Sequence, residues 1–276
     1  MTNYYVDRPA GYWIGHPGAL LPLPGIKGKL TRSVERAATY KTSAAGQRRA
    51  YLSARRAPLR QWDVTLPHLK PSEAAVLHGL LMETDPPYVW VDVWSRVTNL
   101  LTPAAAGLVD IIPALVPAGR QPLTGGGYAP TAVANPDGAL VYVAPAPVVP
   151  DQPVTISAYL AAPVAGTVTA VFLDSAGAII GVPSVSAAVS GESTLTRASL
   201  TLTPPGNAAA VSIRIDGASI IAQPAVTWTS ELVEYGPGGG AAQVIIPSLT
   251  ESIEQAVLAA SGKRLAEVTF TVYEVG

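Results

Sequence analysis

Residues Gln61–Trp94 read QWDVTLPHLKPSEAAVLHGLLMETDPPYVWVDVW, and only here do strand and helix signals stand side by side. Trp62, Val64 and Leu66 alternate with Gln61, Asp63 and Thr65, the period of a half-buried strand. Pro67 and Pro71 lack the amide hydrogen that a ladder or helix interior needs, so a turn is expected between them. Ser72 is the expected cap of a short helix, in which Ala75, Val76, Leu80 and Leu81 recur at helical spacing and Leu77 widens the apolar face. Gly79 weakens that helix and Asp85-Pro86-Pro87 ends it. Tyr88, Trp90 and Asp92 then share one face of a second strand, with Val89, Val91 and Val93 on the other, so this strand is expected to be covered on both sides.

Upstream, residues 1–26 are rich in Gly, Pro and aromatics, with a short strand around Gly11–Ile14. Between Lys27 and Arg60 lie ten basic residues (Lys27, Lys29, Arg32, Arg36, Lys41, Arg48, Arg49, Arg55, Arg56 and Arg60) against one acid, Glu35. Alternation from Leu30 to Arg36 and again from Arg48 to Ser53, with a turn at Gly46-Gln47, resembles a hairpin of two basic strands. Such a run can neutralise phosphates, giving salt-dependent nucleic-acid affinity, or pair with acids of a neighbouring subunit. Asp63, Glu83, Asp85, Glu251, Glu254 and Glu267 are the acids considered for such pairing.

Downstream of Trp94 the chain changes character. Ser95–Val133 reads as coil, with Gly125-Gly126-Gly127 as a loop or linker. From Ala139 come ALVYVAP, PVTISAYLAA, TVTAVFLDSAGAIIG, STLTRASLTLTPP, AAAVSIRIDG and AVTWTSELVEY, short β segments separated by turns, the pattern of an all-β sandwich. Only nine charged residues fall between Leu101 and Ser230. Gly236-Pro237-Gly238-Gly239-Gly240 reads as a second seam and linker. Leu249–Ala260 can be drawn as helix or strand, with strand favoured on fold grounds, and Glu267–Val275 alternates as a strand expected to pack against the Gln61–Trp94 unit.

Composition narrows the chemistry. Of 276 residues 49% are hydrophobic and 13% charged, about half the charged fraction usual for a soluble domain. The absence of cysteine excludes disulfides, thiol nucleophiles and zinc–thiolate sites. Neither a signal peptide nor an 18-residue apolar run is visible, so a soluble chain without membrane association is expected. His16, His68 and His78 show no metal-ligand or triad spacing, and neither Asp85/Asp92 nor Glu251/Glu254 stands in the context of a glycosidase pair. The expectation is a non-enzymatic protein without metal or other cofactor. Tyr128, Tyr142, Tyr159 and Trp228 are the aromatics able to stack on a sugar. Trp228 is expected in the core, and Tyr128, in its Gly-rich loop, is the candidate glycan contact.

DRPAGYWIG, the basic hairpin, RQWDVTLPHLKPSEAAVLHGLL, PPYVWVD and the closing AEVTFTVYEVG resemble distal or minor tail proteins of long-tailed bacteriophages infecting actinobacteria, over roughly 1–97 and 236–276. Asn99-Leu100-Leu101, PDQPVTISAYL, VFLDSAG, TRASLTLTPP, Ala208–Ile215 and AQPAVTW resemble the carbohydrate-binding-module-like jelly rolls, galactose-binding-like, that tail proteins and glycosidases carry. The implied fold is mainly β: a tail-tube-like β-sandwich or barrel platform with one short α-helix (1–98 and 236–276) and an inserted jelly-roll β-sandwich (99–235). The resemblance further implies a virion protein of the tail tip, assembled in the host cytoplasm. It would form a homo-oligomeric, hexameric ring joining the tail tube to the baseplate hub, with the tube protein, the hub and tape-measure-associated proteins as partners. A tube lumen passing DNA should not grip it, so no specific nucleic-acid binding is expected, and Arg48, Arg49, Arg55 and Arg56 become candidate inter-subunit residues. The alternative is a host-surface adhesion protein whose jelly roll binds cell-wall glycan.

Overall fold

A computed structural model describes residues 10–24, 31–35, 38–52, 59–69, 71–82, 86–253 and 266–275. The chain is mostly β and divides into two compact units. The first comprises Met1–Gly15, Leu21–Trp90 and Ala242–Gly276, and the second His16–Leu20 and Val91–Ala241.

In the first unit an eight-stranded sheet runs in the order Leu21–Pro24, Ala10–Gly15, Tyr88–Val91, Ala241–Ile245, Ala266–Glu274, Leu59–Leu69 and Thr31–Glu35, with Leu249–Ile253 also paired to Ala266–Glu274. Leu59–Leu69 and Ala266–Glu274 are antiparallel neighbours, Phe270 opposite Val64 and Val272 opposite Trp62. Trp62, Val64 and Leu66 are buried as their alternation requires, and so are Val268, Phe270 and Val272 on the partner. Tyr12 stacks on Trp90 with ring centroids 5.0 Å apart, and Trp62 leans on Trp90 at 6.2 Å, so three aromatics centre this core. Tyr88, Trp90 and Val91 are all buried, which places the strand between two covered faces.

Several local expectations are corrected. The strand does not stop at Pro67 but continues to Leu69. The register slips between Ala266 and Val268, and this irregularity lets an imino acid sit in a ladder without its hydrogen bond. Helix Pro71–Met82 has proline at its first position, where no amide hydrogen is required, and Ser72 lies inside the first turn instead of capping it. Its inward stripe is Ala74, Leu77 and Leu80 with Leu81 at the margin, whereas Ala75 and Val76 are exposed. The tail does form strand Leu249–Ile253, while residues 254–260 lie outside the described ones. Arg48–Leu52 pairs with Ala38–Thr42, and Thr31–Glu35 joins Leu59–Leu69, so the basic hairpin is built from a later first strand than the alternation suggests.

Arg60 and Glu274 tie together the ends of two neighbouring strands of this sheet. Arg60 Nη2 and Nε donate to Glu274 Oε1 and Oε2 at 2.7 and 2.9 Å, and its backbone N–H donates to Oε2 at 2.8 Å. Both side chains are largely buried, so the pair escapes most solvent screening. Glu274→Gln should lower stability by roughly 1–2 kcal/mol, read as a drop in melting temperature of the cooperative transition.

The second unit is a sandwich organised by one 20-residue strand, Val154–Leu173. Its first half pairs with Val189–Leu202 on one side and Ile220–Thr227 on the other. Its second half pairs with Ala210–Asp216 and Ile179–Val185, so one strand serves both layers. PVTISAYLAA and TVTAVFLDSAGAIIG are therefore not two strands around a turn: the chain bends through Pro163–Gly166 with register shifts and keeps its ladder. A Cβ at Gly166 would stand 3.0 Å from Ala162 Cβ and 3.3 Å from Leu160 Cδ1, so a larger residue at that bend would have to displace its neighbours by a few tenths of an ångström. Ser95–Val133 is not coil throughout, holding the short helices Ser95–Thr98 and Pro103–Ala106 and several two-residue strands. At the other end, AVTWTSELVEY is strand only as far as Thr227.

Ile179–Val185 is an edge strand whose Ile179, Val182 and Val185 are exposed. A register irregularity at Ala170/Phe172, Gly181 in the left-handed region (φ 69°) and Pro183 interrupt its ladder, the devices by which exposed edges avoid pairing with other chains.

Candidate functional site

Three features of the described residues carry chemistry beyond packing. The first is the hairpin Ala38–Thr42/Arg48–Leu52, a two-stranded sheet of its own. A turn closes it, in which Ser43 N–H donates to Gln47 O and Gly46 N–H to Ser43 O. Residues 41–49 are exposed throughout, and Lys41 stands directly opposite Arg49. Like charges directly opposite on a ladder disfavour the pairing by a few tenths of a kcal/mol to about 1 kcal/mol. The structure therefore places Arg48 and Arg49 on an exposed ribbon, while Arg55 and Arg56 lie outside the described residues. Arg60, from the same basic run, is committed to Glu274 of its own chain. Of the acids considered for pairing, Glu251 takes His78 Nε2 at 2.9 Å and Asp63 accepts from Thr271 and Gln61; Glu83, Asp85 and Glu254 lie outside the described residues.

The second feature is the hairpin tip around Tyr128. Gln121–Pro122 pairs with Tyr128–Ala129, and Gly125, Gly126 and Gly127 all take positive φ in open space at its apex. These glycines make a tight turn, not a linker. The tip is moored to strand Val189–Leu202: Thr124 N–H donates to Leu195 O at 2.9 Å, and Thr124 Oγ1 lies 3.0 Å from Thr196 Oγ1. Tyr128 remains 55% exposed, with the Arg120 guanidinium 4.4 Å from its ring centroid. Trp228, by contrast, is in the core as expected, its indole N–H donating to Pro147 O at 3.1 Å.

The third feature comprises the cations of the sandwich. Arg197 donates to Ser157 Oγ at 3.0 Å and to Val233 O at 2.6 Å, and lies 5.5 Å from the Tyr159 ring centroid. Burial pushes its pKa down from the ordinary arginine value, with Tyr159 acting in the opposite sense. Arg197 thus ties the segment after Trp228 to the sheet and is a structural group. Arg214 has no such partners: its Nε is buried without a hydrogen bond, as is Thr169 Oγ1. Sequence reasoning singled out neither arginine, although each is one of only nine charged residues between Leu101 and Ser230.

A shallow apolar cleft of about 360 Å³ also opens in this unit, lined among others by Leu108, Leu115, Pro117, Pro130 and Val133. Among the described residues no three His, Cys, Asp or Glu side chains gather as a metal site, and no helix is long and apolar enough to cross a membrane.

No family model and no curated protein matches this chain. Among solved structures it is similar to the enzymatically active domain of tailspike protein 4 of bacteriophage CBA120, at 12% identity and a TM-score of 0.34 over 49% of this chain and 22% of that one. A second is the CBM22-1–GH10 region of a Clostridium thermocellum endo-1,4-beta-D-xylanase complexed with xylohexaose, at 15% identity and a TM-score of 0.34 over 48% and 28% of the two chains. A third is the T13 viral particle of IBDV, at 11% identity and a TM-score of 0.27 over 98% and 74%. The matched part thus spans about a quarter of the first two structures' own length.

Proposed function

We propose that this chain is a non-enzymatic structural protein of a bacteriophage tail tip, closing as a homo-oligomeric ring between the tail tube and the tip hub and displaying its sandwich unit outward. The observation that carries this reading is the exposed basic ribbon. Closing a ring requires a heterologous contact, in which one patch meets a different patch on the next copy. An exposed two-stranded ribbon bearing Lys41, Arg48 and Arg49 suits such a contact, because its arginine forks can grip carboxylates bidentately. The family resemblance of DRPAGYWIG, PPYVWVD and AEVTFTVYEVG points the same way. The proposed partners are further copies of this chain, the tube protein and the hub.

Mass measurement of the purified protein by light scattering, with negative-stain imaging, tests it. A closed ring of several copies is expected, and the double substitution Arg48→Glu/Arg49→Glu should reduce it to smaller species while leaving the fold's melting temperature within a few degrees. A monomer at high concentration would overturn the reading. Raised salt should weaken the wild-type ring, because exposed charge contacts are screened within about 10 Å at 0.1 M.

A second reading rests on Tyr128, an exposed aromatic beside a guanidinium on a moored loop. In that case the chain is an adhesion protein for cell-wall glycan. Retention on actinobacterial cell walls that Tyr128→Ala abolishes would favour it.

A further inference from the structure

The sandwich unit is closed on one side and open on the other. Its strands pair in a continuous path from Ile111–Ile112 through Val141–Pro147, Ala210–Asp216, Val154–Leu173, Ile220–Thr227 and Ala132–Ala134 to Val116–Pro117. Strand Val154–Leu173 carries both layers on the closed side. On the open side each layer ends in a strand of only two residues, and residues 113–115 bridge the seam between them.

This seam is apolar and uncovered. Val109, Ile112 and Val116 are 79%, 72% and 71% exposed, and no charged residue falls between Ile111 and Gly119. The cleft of about 360 Å³ opens beside them, with Leu108, Leu115, Pro117 and Val133 in its lining. Exposed apolar ridge and apolar cleft thus lie side by side on one stretch of chain, the kind of surface that marks a protein contact. Edges two residues long offer too short a ladder for strand addition, so side chains must supply the contact.

Charge selects the occupant. Asp110 and Arg120 flank the apolar run symmetrically about Leu115, and both are exposed. They stand on opposite layers: Asp110 O accepts from Ala144 N–H of strand Val141–Pro147, whereas Ala118 N–H, near Arg120, donates to Ala132 O. Neither side chain makes an ion pair among the described residues. A half-turn about an axis leaving the seam near Leu115 exchanges the two layers. It would therefore bring Asp110 of each copy toward Arg120 of the other and lay the two apolar stretches together. We propose that the occupant of this seam is the seam of a second copy of the chain, docked about a two-fold axis. Such an isologous contact pairs two chains and closes on itself. It is independent of the basic ribbon, which belongs to the other unit.

Sedimentation of the full chain carrying Arg48→Glu/Arg49→Glu, which leaves the seam intact, tests it. Dimers are expected, with a dissociation constant of about 10 µM or below. Val116→Asp and Asp110→Arg, each added singly, should weaken the dimer at least about tenfold, since every change counts twice across a two-fold axis. Asp110→Arg/Arg120→Asp together should restore it to within about threefold, because the exchanged charges still meet. Should Val116→Asp fail to fold, the charge exchange decides. Larger rings persisting in this background would count against the ribbon and not the seam, which is then read by oxidation. In this cysteine-free chain Leu115→Cys should link copies in pairs, and Val182→Cys, on the opposite edge of its sheet, should not. Monomers at about 100 µM, a dimer indifferent to Val116→Asp, a charge exchange that restores nothing, no linking at position 115 or equal linking at 182 would each overturn the proposal.

Discussion

Asn99→Ala should unfold the sandwich unit well below the wild-type melting temperature, by roughly 10 °C or more, for a loss of about 3–5 kcal/mol. Asn99 is fully buried and uses every polar atom of its side chain. Nδ2 donates to Pro224 O at 3.0 Å and to Gly236 O at 3.1 Å, while Oδ1 accepts from Leu101 N–H and Val226 N–H, each at 3.1 Å. One amide therefore joins the start of the unit, its strand Ile220–Thr227 and the segment that leaves it. Alanine would strand two carbonyls and two amide hydrogens in a buried place, where each unsatisfied group costs about 1–3 kcal/mol. Water entering the cavity would recover part of this, so Asn99→Leu, which fills the space without bonding, should be worse than alanine. Asn99→Asp is the sharper variant. It keeps the oxygen that accepts from Leu101 and Val226 but replaces the donor with an oxygen that turns negative charge toward the Pro224 and Gly236 carbonyls, so burial and those dipoles must hold its pKa above the ordinary carboxylate range. The native state then binds the proton more tightly than the unfolded state, and stability must fall as pH rises from the ordinary carboxylate range through the raised value. Equal stability of Asn99→Asp at acid and neutral pH, or an Asn99→Ala melting curve matching the wild type, would show the network to be dispensable.

What the sequence disclosed follows from which physical effects are local. Period-two alternation at Trp62/Val64/Leu66 and Val268/Phe270/Val272 survives intact, because a sheet with one buried face imposes that period wherever it forms. The mainly β fold with few helices was legible for the same reason. The inward face of helix Pro71–Met82 was misjudged, because several apolar side chains crowd a short helix and only tertiary packing selects Ala74, Leu77 and Leu80 over Ala75 and Val76. Strand continuity through Pro67 and through Pro163–Gly166 was hidden, since proline signals a break locally and only the partner strand reveals the irregularity that accommodates it. The candidate site divides along the same line. The exposed positions of Arg48 and Tyr128 could be read from a basic strand and a Gly-rich loop. The orphaned Arg214–Thr169 pair could not, since two residues 45 positions apart become neighbours only through strand pairing.

Gly240→Ala is expected to be nearly as damaging as the loss of Asn99, and it separates two pictures of the GPGGG segment. Read as sequence, this segment is a linker, and alanine in a linker is neutral or slightly stabilising because it narrows the unfolded ensemble. The fold contradicts that reading. Gly239 N–H and Gly240 N–H donate to Leu101 O and Asn99 O, the first at 2.5 Å and the second at 2.8 Å, and both glycines are buried. A Cβ on Gly240 would stand 2.3 Å from Asn99 O and 2.8 Å from Ser95 O; on Gly238 it would meet Ala106 Cβ and Thr102 O, each at 2.5 Å. These are mainly backbone obstacles, which cannot rotate aside, so the segment must lift from residues 95–106. Overpacking of this kind costs about 1–3 kcal/mol and more where backbone must move. Gly206→Ala supplies the control, because open space surrounds its Cβ direction and its φ lies outside the left-handed region. The expected result is a melting temperature lowered by roughly 5–10 °C for Gly240→Ala and unchanged within about 1–2 °C for Gly206→Ala. Since the Gly240 clash falls on the carbonyl of Asn99 itself, the double substitution Asn99→Ala/Gly240→Ala should lose less than the sum of its parts, as contacts shared by one network do. Additive losses would mean that the two residues act on separate parts of the unit, and a neutral Gly240→Ala would restore the linker.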